Sequence, residues 1–270
     1  MRFLLLFTTA LLISCTSSNK DGLGPENTIT TESGLQYYYL KKGDGRMIEK
    51  GSTVETKLSL LVEDELIWTS YEAEDSLFTF IAGVSGVIDG FEEMAFLMRE
   101  GDNVVATLPY DIAYGEDGAG DDIPPYATLV YDRYEIVSVS EPKKVLADTL
   151  TIALSEAGTD GVRDVYESIM ASELSDQYHT DLDLLQPMFG EMRENEQFDE
   201  LFTLAEYFST KATSDFHKAL MGYYQVVALE EQDKFDQAIQ LTSQYLGVYP
   251  NDQWFQARLV RLQEAKANAD

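Results

Sequence analysis

Side chains able to carry covalent or metal chemistry are few in this 270-residue chain, and they lie far apart in sequence. The single thiol is Cys15, which excludes an internal disulfide framework and a Cys-rich metal site. The two imidazoles, His179 and His217, leave little for a zinc enzyme. Carboxylates number 48. Adjacent pairs such as Glu92–Glu93 and Asp121–Asp122 have the residue types for general acid–base work. At this density such pairs are expected by chance and read as solvated. One stretch stands out as a loop, the Gly-, Pro- and Asp-rich segment from Gly115 to Pro125. Loops that long are often functional.

The charge balance narrows the partners. Lys and Arg total 19 against 48 acids, a formal charge of −29. Such a field repels phosphate backbones, so nucleic acid is excluded as a ligand, and a patch for anionic lipid head groups with it. At 44% apolar and 25% charged residues, the chain has an ordinary globular balance. Its length suits one large domain or two ordinary ones.

From Thr31 to Ser140 the pattern alternates, which is the mark of strands. Leu35–Leu40 and Val54–Val62 are expected strands. In the second, Val54, Thr56, Leu58 and Leu60 share one face and Glu55, Lys57 and Ser59 the other. Trp68–Tyr71, Phe78–Ile81, Val104–Leu108 and Thr128–Val139 follow, with one compact helix over Gly90–Met98. The last strand breaks its alternation at Asp132-Arg133-Tyr134, which a one-residue β-bulge would restore. One short helix among antiparallel strands indicates an α+β domain.

Three blocks in this order, SGLQYYYLKKGDG, FTFIAGVSGVIDGFEEMAFLMREGD and LPYDIAYGEDGAGDDIPPYATLVYDRYEI, resemble the FKBP-type peptidyl-prolyl cis-trans isomerases. The resemblance implies an antiparallel half-barrel around one short helix, with an apolar pocket between them. Rotation about a peptide bond costs about 18–20 kcal/mol, because resonance gives C–N double-bond character. At X-Pro both isomers are populated and exchange over tens to hundreds of seconds. An apolar pocket that grips the proline ring and favours the twisted imide speeds that exchange. It needs no nucleophile, metal or cofactor.

The resemblance implies roles for particular residues. Phe78 matches an aromatic wall, and Phe91 stands where a tryptophan usually floors the pocket. Val87 and Ile88 match the pair opening the helix, where the Ile N–H receives a substrate carbonyl. Tyr114 matches the tyrosine whose hydroxyl bonds the substrate. Ile123 matches an apolar loop residue over the pocket, and Tyr131 an aromatic usually present as Phe. Trp68 takes the place of the phenylalanine in the family's Phe-Asp-Ser motif, and Thr69 replaces its aspartate. Leu58 and Leu60 stand where the family has tyrosine and glycine. Apart from the resemblance, Phe78, Phe91 and Tyr131 also read as plain core aromatics of a small β domain.

The N-terminus reads MRFLLLFTTALLISC. Its apolar run over Phe3–Ser14 is too short to span a bilayer core of about 30 Å. It reads as an export signal over residues 1–14. The residues before Cys15 resemble a bacterial lipobox, so Cys15 is expected to carry lipid; the alternative is a secretory signal with a chance cysteine. Residues 15–30 then form a flexible tether. The expected place is the bacterial envelope, periplasm or outer membrane, with membrane contact only through the anchor.

From Val145 to Asp270 the periodicity turns helical. Helices are expected over Gly161–Ser172, Asp183–Glu194, Glu196–Thr210, Ser214–Glu230, Lys234–Val248 and Asp252–Ala267. Phe198-Asp199-Glu200-Leu201 with Leu204 and Phe208 recurs 37 residues later as Phe235-Asp236-Gln237-Ala238 with Leu241 and Tyr245. The segment is similar to a tetratricopeptide unit, although Gly222 stands where a large aromatic is usual. A helical-hairpin array and a plain bundle both fit. The array would serve a protein partner or self-association. Residues 141–270 hold 10 basic and 24 acidic side chains, which argues against an anionic tail as ligand. The sequence therefore points to an isomerase and folding helper acting on proline-containing polypeptides, of reduced activity because of Thr69. The alternative is a non-catalytic binder of proline segments.

Overall fold

The computed structural model describes residues 22–72 and 76–269. The expected signal segment 1–14, Cys15 and residues 16–21 of the expected tether lie outside the described residues. Residues 22–30 depart from a free tether. Pro25–Asn27 form a 3-10 turn, the Gly24 N–H reaches the Tyr39 carbonyl at 2.9 Å, and Ile29–Thr30 add strand β1 to a sheet.

That sheet continues with β2 (Gln36–Lys41), β3 (Thr53–Val62), β4 (Glu65–Thr69) and β5 (Phe78–Ile81). Helix α1 (Asp89–Phe96), β6 (Asn103–Leu108) and β7 (Leu129–Val139) complete it. The strand order is β1-β2-β6-β7-β3-β4, with β5 paired to β3. The bulge expected in β7 is present. The register slips so that Tyr131 and Arg133 face Leu60 and Ser59, and Tyr131 and Tyr134 face Ala106 and Val104. The extra residue returns Leu129, Tyr131, Tyr134 and Ile136 to the buried side. Strand β4 starts three residues before the expected Trp68, because the left-handed Glu63 and Asp64 make a tight turn straight out of β3.

Further on come β8 (Lys144–Val145), α2 (Leu146–Met170), β9 (Tyr178–His179), α3 (Gln186–Glu194), α4 (Phe198–Lys211), α5 (Asp215–Glu230), α6 (Phe235–Val248) and α7 (Gln253–Ala269). Helix α2 begins fifteen residues before the expected Gly161 and is kinked at Gly158. Ser214 caps α5 by accepting from the His217 N–H at 3.1 Å, and Asp252 accepts from the Phe255 N–H at the start of α7. No helix among the described residues is long and apolar enough to cross a membrane.

The chain divides into two compact units, and the division is not a single cut. One holds Met1–Ile48, Val54–Thr79 and Val87–Val139; the other holds Glu49–Thr53, Phe80–Gly86 and Ser140–Asp270. Within the second unit, the Gly51 carbonyl accepts from the Lys143 N–H at 2.9 Å and from His179 Nε2 at 2.7 Å. Val84 packs against the core built by Leu150, Tyr166, Phe189 and Phe208.

The repeat seen in the sequence is a repeat in space. Helices α4 and α6 both begin at the phenylalanine of the repeat, and Glu196 and Asp233 before them are both left-handed, at φ 57° and 55°. The Gln197 and Lys234 N–H groups each close the preceding turn on Met192 and Leu229 carbonyls at 2.9 Å. The result is two helical hairpins, α3–α4 and α5–α6, joined by the same turn and followed by α7. Gly222 has a packing reason. A Cβ there would lie 2.3–2.6 Å from the Tyr245 ring, so its absence lets α6 sit close on α5.

Candidate functional site

The candidate pocket lies within the first unit, between α1 and the sheet. Its floor is Phe91, placed by the first turn of α1 and 3% exposed. Gly90 lets that turn approach β6, since a Cβ there would meet the Leu108 and Ile112 side chains at 2.8–2.9 Å. Beneath Phe91 lies Tyr134, fully buried, its ring stacked at 4.7 Å and its hydroxyl donating to the Phe91 carbonyl at 3.5 Å. Tyr134 is a supporting residue that the sequence reading did not single out, although the bulge expected at Asp132-Arg133-Tyr134 was the signal that turns it to the buried side.

From Phe91 a chain of edge-to-face aromatics runs outward. Phe78 meets it at 5.7 Å, and Trp68 meets Phe78 at 6.3 Å. On the other flank Tyr131 meets Phe91 at 5.7 Å. Such contacts contribute about 0.5–1.5 kcal/mol each beyond area burial and fix ring orientation. Trp68 remains 44% exposed while Phe91 keeps only 3%, so the chain of rings grades from core to surface. Ile88 is the N-cap of α1; its carbonyl accepts from the Phe91 and Glu92 N–H groups. Its own N–H has no acceptor among the described residues, which suits it to a ligand carbonyl. Val87 precedes it and is half-buried.

The loop between β6 and β7 is stitched rather than loose. The Gly115 N–H bonds the Tyr110 carbonyl at 2.8 Å, and the Tyr126 N–H bonds the Gly115 carbonyl at 3.1 Å. The Tyr110 and Tyr126 rings meet edge-on at 5.2 Å. Tyr114 is presented from this loop at 41% exposure, close enough to Tyr131 to act on it electrostatically. Ile123 is buried and bonded both ways to Ala119, at 2.8 and 3.1 Å. Asp111, Glu116, Asp117, Asp121 and Asp122 are exposed along the same loop.

Thr69 does not offer its hydroxyl to the pocket. Its Oγ1 donates to the Leu58 carbonyl at 3.2 Å and accepts from the Tyr71 N–H at 3.1 Å. Ser70 Oγ accepts from the Leu58 N–H at 2.9 Å, so both residues are used to hold β3 and the end of β4 together. Burial pushes the Tyr131 and Tyr134 phenols well above their ordinary range, so both stay protonated donors. Among the described residues no group of three His, Cys, Asp or Glu is placed to hold a metal ion. The arrangement can bind a small apolar ring and hydrogen-bond its flanking amides.

Comparison with known proteins agrees in kind. The FKBP-type peptidyl-prolyl cis-trans isomerase family matches residues 44–132. A probable FKBP-type peptidyl-prolyl cis-trans isomerase FkpA of Neisseria meningitidis serogroup B is 34% identical over 128 residues, 47% of this chain and 46% of that protein. The FKBP-type 22 kDa peptidyl-prolyl cis-trans isomerase of Escherichia coli K12 is 36% identical over 107 residues, 40% of this chain and 51% of that one. This chain thus spans about half the length of each. FK506-binding protein 1 of Dictyostelium discoideum is 31% identical over 99 residues, 37% of this chain but 92% of its own length. With nearly the whole of that small relative matched, the chain belongs to the FKBP-type peptidyl-prolyl cis-trans isomerase family.

Proposed function

We infer that the protein is a peptidyl-prolyl cis-trans isomerase and folding helper for exported polypeptides. The observation that carries this reading is the graded aromatic pocket ending at the Ile88 N–H, which has no acceptor among the described residues. The proline ring would stack on Phe91, against Phe78 and Tyr131. A substrate carbonyl would take the Ile88 N–H, and the Tyr114 hydroxyl a second one. Holding the ring while stripping water from the imide favours the twisted state over the planar one. The test is the rate of cis-trans exchange of a short X-Pro peptide with and without the protein. Acceleration supports the reading; an unchanged rate overturns it.

A second reading, a non-catalytic holder of proline segments, is favoured by Thr69, whose hydroxyl is spent on backbone groups. Peptide binding without acceleration would select it. The helical hairpins would dock a partner or a second copy, and lipid on Cys15 would hold the protein at a bacterial envelope membrane. A Cys15→Ser protein should leave the membrane fraction; retention would overturn the anchor.

A further inference from the structure

Tyr131 carries a hydroxyl that nothing in the fold uses. Its residue is 7% exposed, and its ring touches Phe91 at 5.7 Å and Tyr134 at 5.8 Å. Among the described residues the hydroxyl has no hydrogen-bond partner. Four side-chain polar atoms are sealed without a partner, in Asn103, Arg163, Glu230 and Arg258, and the Tyr131 oxygen is not one of them. It is therefore unpaired yet still open to whatever enters the pocket. The neighbouring Tyr134 hydroxyl, by contrast, is satisfied by the Phe91 carbonyl.

A phenylalanine would fill the same space without the desolvation cost of an unpaired phenol. Packing thus accounts for the ring but not for the oxygen. A hydroxyl without a protein partner that keeps access to the pocket is available to a ligand. Depth identifies which part of the ligand. Tyr114 stands 41% exposed on its loop, where a chain flanking the proline would reach it. Tyr131 stands edge-on at 5.7 Å from Phe91, the ring on which the proposed function stacks the proline, so a prolyl imide held there would lie beside it.

We propose that the Tyr131 hydroxyl donates a hydrogen bond to the prolyl imide nitrogen as that nitrogen becomes pyramidal. This inference rests on the isomerase reading of the same pocket. In the planar imide the nitrogen lone pair is delocalised into the carbonyl and accepts poorly. As the bond twists, the pair localises on nitrogen and becomes an acceptor. The contact forms only in the twisted state, so it raises kcat and leaves ground-state binding alone. No proton is transferred; the phenol stays protonated throughout. Tyr131 thereby supplies the polar contact that Thr69, tied to Leu58 and Tyr71, does not.

The test is Tyr131→Phe in the full chain. Steady-state kinetics on a short X-Pro peptide, titration with the same peptide and thermal unfolding are measured side by side. The expected result is a fall in kcat of roughly 2- to 13-fold, the worth of one hydrogen bond. KM and peptide affinity should hold, and the melting temperature should stay level or rise. An active wild type matched by Tyr131→Phe overturns the inference alone. So does a rise in KM at constant kcat, which would make the hydroxyl a ground-state contact. A wild type without isomerase activity overturns the isomerase reading and this inference together.

Discussion

Phe91 meets Phe78 and Tyr131 edge-on and stacks on Tyr134, so a single ring is both core and pocket floor. Phe91→Ala should therefore cost about 3–5 kcal/mol of stability. Peptide affinity and isomerisation rate should fall together, as denaturant titration and peptide titration would show; stability loss with affinity intact would separate floor from core. Thr69 makes a different prediction. An aspartate there can accept from the Tyr71 N–H but cannot donate to the Leu58 carbonyl. Thr69→Asp should cost about 0.5–1.5 kcal/mol of stability for that lost bond. It should raise the isomerisation rate while peptide affinity stays level. A flat rate would mean that an acidic group at this point of the pocket adds nothing. At this scale the resemblance implied roles for Phe78, Phe91 and Tyr131, and the structure brings the three rings into contact. Residue types marked Phe78, Phe91 and Tyr131 as core aromatics, yet only the folded chain shows that the Thr69 hydroxyl turns to backbone and the Tyr131 hydroxyl does not.

Helices α5 and α6 meet at a point where no Cβ fits. The Tyr245 ring that occupies the space beside Gly222 stacks on Phe255 at 5.0 Å, and its hydroxyl accepts from Gln225 at 3.2 Å. It cannot swing aside cheaply. Gly222→Ala gains up to about 1 kcal/mol of helix propensity, but overpacking of this kind costs about 1–3 kcal/mol. The expected outcome is a lower melting temperature, relieved when Tyr245→Leu is added; a stabilised Gly222→Ala protein would show that the helices slide apart freely. The hairpin pair was legible as a repeat because both copies start at the same phenylalanine after the same left-handed residue. The first half of α2 was not legible. Thr149, Thr151 and Ser155 weaken the helical signal there, and Gly158 kinks the helix so that one period does not run through both halves. The bulge in β7 was legible because a two-residue period that slips by one leaves a visible fault.

Buried and half-buried phenols are spread over both units, and their ionisation works against the fold at alkaline pH. Burial raises Tyr39 and Tyr224 to about 12, from an ordinary 10.0. Tyr71, Tyr131 and Tyr207 are pushed higher still, chiefly by burial. Folded values above the unfolded one mean that the neutral phenol is favoured by folding. That stabilisation is complete below about pH 10 and is lost as pH climbs through the folded values. Denaturant titrations should find these groups contributing a constant amount from neutrality to about pH 10, then a steep loss toward pH 12, with phenolate absorbance rising in step with unfolding. Early phenolate absorbance without unfolding would show that the rings ionise in place. The split membership of the second unit has a consequence in time. The ribosome delivers a chain at about 5–20 residues per second. Glu49–Thr53 and Phe80–Gly86 therefore emerge seconds before Ser140 and the helices they belong with. Through that interval the Gly51 carbonyl waits for Lys143 and His179, and Val84 waits for its apolar cover. A nascent chain stalled near Val139 would hold every strand of the pocket while two of its internal stretches stayed unclaimed.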